Sequence, residues 1–142
     1  MITGVEIDMV VKDSIKALEL YEKIFDVERI EVSDLGDKGA EAVFTIYGVR
    51  FHLLNENPEF FLIAPKEGDP RPMWLNVCVP DINETFSKAI ENGCKEVFAV
   101  QEMPDFGIKN AMFSDPFGYG WMLHQIDKLV SHEERMRILS EQ

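Results

Sequence analysis

Apolar and polar positions along the chain follow two periods. After Asp13, the residues Ile15, Leu18, Tyr21, Ile24 and Phe25 recur at helical spacing, and Ile82, Phe86, Ala89 and Ile90 do the same after Asp81. Both stretches predict amphipathic helices. Asp13 and Asp81 carry the short acceptor side chain that suits a helix start, Glu84 completes a capping box, and Gly93 ends the second helix. Between the helices the period falls to two. Alternating runs predict a strand ending at Val11, short strands near 28–32 and 95–100, and two hairpins. The first hairpin, "AVFTIYGVRFHLL" (42–54), turns near Gly48. The second lies within "MFSDPFGYGWMLHQ" (112–125) and turns at Asp115-Pro116-Phe117-Gly118. There Asp suits the first turn position, Pro presets φ at the second, and Gly tolerates the closing conformation. Ser131 and Glu134 form another capping box, which predicts a last helix over 132–141.

These elements occur twice. Asp13 and Asp81 stand 68 residues apart, and the turn glycines Gly48 and Gly118 stand 70 apart. The chain therefore reads as two tandem β-α-β-β-β modules, and periods this long point to modules that bury each other's faces. The expected division is a first module at 1–55, a connector at 56–72, a second module at 73–127 and a C-terminal helix at 128–142, all within one structural domain. The stretch "NENPEFFLIAPKEGDPRP" (55–72), which supplies the connector, has four prolines, and its "FFLIA" core is expected to pack down.

Composition narrows the partners. With 142 residues, 46% of them hydrophobic, the chain can bury a full core. A formal net charge of −12 argues against nucleic acid and anionic membrane surfaces as partners, and reads as a solubility device. No apolar run is long enough to span a bilayer, and "MITGVEIDMV" lacks the basic start and cleavage site of a signal peptide. Cys78 and Cys94 form no metal or redox spacing and read as reduced thiols, so a cytoplasmic location is expected. No phosphate loop, Ser/His/Asp nucleophile set or zinc-finger spacing is visible.

The duplication, the Asp at each helix start and the terminal "DPFGYGWML" resemble the vicinal oxygen chelate superfamily of glyoxalase I, bleomycin-resistance proteins, fosfomycin-resistance enzymes and extradiol dioxygenases. The likeness covers roughly residues 3–126, and "SDPFG" is especially similar to the PhnB-like branch. It implies an α+β fold whose two modules form a half-open mixed β-barrel cavity. It also implies four metal-ligand positions, which fall here on Glu6, His52, Trp74 and Met122. Glu6 and His52 can ligate, Trp74 cannot, and a thioether is a poor ligand for hard divalent ions.

Alternation places Asp8 beside Glu6, Asn76 and Cys78 beyond Trp74, and His124 beyond Met122. Glu6 and His52 are accordingly the candidate catalytic acid–base pair, and Asp8, Trp74, Asn76, Met122 and His124 the candidate ligand pocket, with Met122 opposite Trp74. No cofactor is expected. If a divalent metal is present, Glu6, His52 and His124 are its ligands, with Asp8 joining a rearranged set. Plain structural readings stand beside these: Glu6 as a solvated carboxylate, His52 as a satisfied interior histidine, Trp74 and Met122 as core filler. The expected function is a homodimeric binder of a small, partly aromatic or apolar molecule without the usual metal. The alternative is a metal-dependent lyase, isomerase or dioxygenase. A protein whose cavity is filled by its own side chains, acting by association, is a third class.

Overall fold

The computed structural model describes residues 3–142, so the first two residues of the expected first module lie outside the described residues. The chain divides into two compact units between Pro70 and Arg71. The first contains β1 (Ile7–Val11), α1 (Ser14–Ile24), β2 (Val27–Asp34), β3 (Ala40–Ile46) and β4 (Val49–Asn55), in sheet order β1-β4-β3-β2. The second repeats it with β5 (Leu75–Cys78), α2 (Ile82–Glu91), β6 (Lys95–Met103), β7 (Ile108–Ser114) and β8 (Gly120–Ile126), in order β5-β8-β7-β6, followed by α3 (His132–Ser140). In each sheet the first strand pairs parallel to the last and the remaining pairs are antiparallel. The architecture is α+β, two tandem β-α-β-β-β modules with mixed sheets.

Local chemistry explains the repeat. Asp13 Oδ1 accepts from Lys16 N at 3.0 Å, and Asp81 Oδ1 accepts from Glu84 N at 3.1 Å. A second device is also repeated: Asn55 Oδ1 accepts from Ser14 N at 2.8 Å, and Gln125 Oε1 accepts from Ile82 N at 2.9 Å. The last strand of each sheet thus ties down the orphan amides of its own helix. Ser131 Oγ caps α3 by accepting from Glu134 N at 3.1 Å. The β3–β4 turn is the two-residue kind with left-handed φ at both centres, 46° at Tyr47 and 81° at Gly48, whose twist matches the strands it joins.

Each sheet buries one face beneath its helix. In the first unit Ala17, Leu18 and Tyr21 of α1 are fully buried with Ala42, Phe44 and Leu53 of the sheet, and Phe44 stacks on Phe51 at 5.7 Å between centroids. In the second, Ile82 and Ala89 of α2 are buried with Ala111, Phe113, Trp121 and Leu123. Period-two alternation then sends the residues between these to the opposite face.

Three details depart from expectation. The strands expected at 28–32 and 95–100 run longer, as Val27–Asp34 and Lys95–Met103, and both carry register shifts, at Ile30 in β2 and at Val97 and 99–100 in β6. The connector aromatics do not pack down: Phe60 and Phe61 are 71% and 89% exposed, because a 3₁₀ turn at Pro58–Phe60 ends in a left-handed Phe61 that points outward. Ile90, expected on the apolar face of α2, is exposed, and Thr85 takes the buried place, with its hydroxyl donating to Asp81 O. No helix of the described residues is long and apolar enough to cross a membrane.

Candidate functional site

The face of the first sheet away from α1 gathers charge. Asp8, His52 and Val43 lie side by side in register on β1, β4 and β3. His52 Nδ1 sits 3.0 Å from Glu6 Oε1 and 3.9 Å from Asp8 Oδ1, while Nε2 sits 3.2 Å from Glu41 Oε2. Glu6 is also bonded through Oε2 to the Arg50 guanidinium. Hydrogen bonding from Arg50 and then from Asp8 brings the Glu6 carboxyl down to about 2. Asp8 moves the other way, raised by burial and by the adjacent Glu6 charge. Two carboxyls side by side are thus pushed apart, so that Glu6 is the permanent anion and Asp8 the group that takes up a proton first.

The corresponding face of the second sheet mixes methionines with uncharged polar side chains. Register pairs Asn76 with Met122 and Met112 with Met122 across β5, β8 and β7, and pairs Asn110 with His124. Asn76 Oδ1 accepts from His124 Nδ1 at 2.7 Å, and burial lowers the His124 pKa. The neutral ring therefore carries its proton on Nδ1 and presents Nε2 as an acceptor. Asn110 Nδ2 meets Met103 Sδ at 3.6 Å, whereas its Oδ1 is buried with no hydrogen-bond partner among the described residues. Trp74 precedes β5 and is half exposed. A Cβ built at Gly120 would lie 3.6 Å from Trp74 Cβ and 3.1 Å from Met112 Cε, so the glycine opens a niche between the two side chains. The partner of Met122 on β5 is therefore Asn76 and not Trp74, because the parallel register sets Leu75 against Trp121 and carries Trp74 back to Gly120.

The turn before β8 holds this register. Asp115 is buried; its Oδ1 accepts from Phe117 N and Tyr119 N, both at 2.9 Å, and its Oδ2 accepts from the Trp121 indole at 2.9 Å. One carboxylate thus locks the turn to the core face of β8 and leaves Met122 and His124 on the opposite face.

Residues 5–123 match the family model described as the Glyoxalase/Bleomycin resistance protein/Dioxygenase superfamily. The chain belongs to this superfamily. No curated protein matches it. Among solved structures it resembles a mutant of the fosfomycin resistance protein FosX from Listeria monocytogenes complexed with Mn(II) and 1S,2S-dihydroxypropylphosphonic acid, with a TM-score of 0.68, 18% identity and coverage of 98% of this chain and 99% of that one. FosX from Mesorhizobium loti gives a TM-score of 0.66 at 15% identity over 96% and 99% of the two chains. TioX from Micromonospora sp. ML1 gives 0.65 at 16% over 87% and 98%. At these identities the likeness establishes the fold.

Of the four positions expected to ligate a metal, Glu6 and His52 in the first unit carry donors, whereas Trp74 and Met122 in the second do not suit a hard divalent ion. Glu6, Asp8 and His52 offer one ligand atom each, all within 4.8 Å of one another, a mixed oxygen and nitrogen set that fits a divalent ion. His124, the remaining expected ligand, belongs to the second sheet, beside Met122 and the amide of Asn76. Sequence reasoning missed Arg50 and Glu41. Arg50 had a signal, since it stands two residues from His52 on one strand and must share its face. Glu41 had none, because only the β3–β4 register brings it diagonally to the ring. Asn110 was missed for the same reason.

Proposed function

We propose that this member of the superfamily binds a small, partly aromatic molecule directly through side chains of the second sheet, without the usual metal. The observation that carries the reading is the orphaned Asn110 Oδ1, a buried acceptor beside the neutral His124 imidazole. Buried polar atoms are nearly always satisfied, so this empty acceptor, closed off from water in the free chain, calls for a donor that a ligand would supply. A phenol or aromatic amide suits it: its N–H or O–H reaches Asn110 Oδ1 or His124 Nε2, and its ring lies against Trp74, Met112 and Met122. The donors of the first sheet are occupied with one another, since Arg50 holds Glu6 and two carboxylates flank His52. They give the first sheet a fixed charge of its own.

One observation favours the alternative, a metal-dependent enzyme. With Nε2–H donating to Glu41, His52 Nδ1 faces Glu6 and Asp8 as a carboxylate-oriented ligand would. Glu6, Asp8 and His52 would hold the ion, which would act as a Lewis acid.

Fluorescence separates the readings. Trp121 is fully buried, so quenching by added ligand reports on the exposed Trp74. Phenols and aromatic amides should quench emission saturably with EDTA present, and Asn110→Ala should weaken binding about tenfold by removing a ligand bond. Binding that vanishes with EDTA and returns with Mn(II) would replace this reading with the metal-dependent one. We also take the chain to be a cytoplasmic homodimer, on its two free thiols and on the open edges of its sheets.

A further inference from the structure

A cavity of the second unit lies apart from the sheet face described above. It is a cleft of about 570 Å³ between α3, the Pro104–Phe106 turn and the ends of β7 and β8. Its walls include Phe106, Ile126 and Leu139, and its rim carries Lys128, His132 and Arg135. No acidic residue lines it, in a chain where 26 acidic residues outnumber 14 basic ones.

The surroundings leave His132 and Arg135 available. The acids Glu134, on α3, and Glu141, just past its end, are both held by Arg137, and Glu134 lies near enough to Lys128 for the lysine charge to favour its carboxylate. Among the described residues the Arg135 and His132 side chains meet no acid. Lys128 is fixed in place, because the Gly107 carbonyl accepts from both Asp127 N at 2.8 Å and Lys128 N at 3.1 Å. Gly107 adopts φ 66°, and any side chain there would collide with the Lys128 carbonyl, so the close approach requires glycine. The cleft thus combines an apolar floor that is half exposed, with Ile126 at 50% and Leu139 at 49%, and a cationic rim set by a rigid loop.

We propose that this cleft binds a free amphiphilic carboxylate, its apolar tail on Phe106, Ile126 and Leu139 and its headgroup among Lys128, His132 and Arg135. Charge complementarity selects the headgroup, and a guanidinium is the side chain best shaped to take a carboxylate in two parallel bonds. The volume lies within the range of small-molecule sites, about 300–1,000 Å³. An overall charge of −12 disfavours an anionic membrane as the source of that headgroup and leaves a free molecule.

The test is a titration of the full chain with decanoate, kept monomeric, against 1-decanol, acetate and anionic phosphatidylglycerol vesicles, read by the methyl signals of Ile126 and Leu139. Decanoate should shift both signals saturably. Decanol, lacking the charge, and acetate, lacking the tail, should each bind at least tenfold more weakly. Arg135→Gln, a change at an exposed residue of the cleft, should weaken decanoate about tenfold. Equal binding of decanol, or undiminished binding to the Arg135→Gln chain, would overturn the proposal. So would vesicle association without binding of free decanoate, or shifts of the same methyls with protein concentration alone, which would mark the cleft as a contact between copies. Trp74 emission should stay constant throughout, so failure here is separable from failure of the ligand face on the second sheet.

Discussion

Replacing Asp115 by alanine should cost about 3–5 kcal/mol of folding stability. The side chain accepts three hydrogen bonds, two from backbone amides in the turn and one from the indole of Trp121, which is fully buried. The turn amides can recover part of their loss from water, at about 1 kcal/mol each. The buried indole cannot, and a stranded donor costs about 1–3 kcal/mol. Domains of this size are stable by about 5–15 kcal/mol, so the variant should fold but melt early. Urea denaturation followed by circular dichroism measures the difference, and the m-value should not change. Trp121→Phe removes the indole donor together with part of the ring, a packing loss that the double-mutant cycle subtracts. In the Asp115→Ala background it should cost less than in the native chain, with a coupling of about 1–3 kcal/mol. Asp115→Asn keeps an acceptor but turns an amide N–H₂ towards either the indole or the turn donors, so it too should destabilise. A loss below about 1 kcal/mol for Asp115→Ala, or zero coupling to Trp121, would show that this carboxylate does not fix the register of β8.

Three further outcomes follow from the same geometry. Burial and the Asp115 charge push the Cys94 thiol up to about 12, while Cys78 is exposed, so a thiol reagent should modify one cysteine in the native chain and two in denaturant; two fast native equivalents would contradict this. The Glu6 carboxyl, held at about 2 against an ordinary 4.5, contributes stability above its ordinary value that is lost as pH falls through 2. Arg50→Gln should therefore raise the Glu6 midpoint in a carboxyl-carbon NMR titration, and an unchanged midpoint would remove Arg50 as the cause. Light scattering at micromolar concentration should give twice the monomer mass, and a monomer would refute the homodimer.

The fold was legible because its signals are local. Caps at Asp13, Asp81 and Ser131 and turns at Gly48 and Gly118 act over three or four residues, and a copied pattern can be read twice. The helix anchors from Asn55 and Gln125 reach across 41 and 43 residues and leave no local trace. The site shows the same divide. Alternation placed His124 and Met122 together, but the Asn110 acceptor and the Glu41 carboxylate depend on cross-strand register, which no single strand encodes. The exposed Phe60 and Phe61 mark the limit of hydrophobicity as a guide to burial, since backbone geometry at a 3₁₀ turn decided their direction.

Direct binding on the second sheet is tested most plainly by the methyl signals of Met112 and Met122 in protein freed of metal by chelation. On titration with a phenol or aromatic amide, both methyls should shift saturably, and Asn110→Ala should move the midpoint about tenfold higher. If neither methyl responds, or both respond only once Mn(II) is supplied, the metal-free account is wrong.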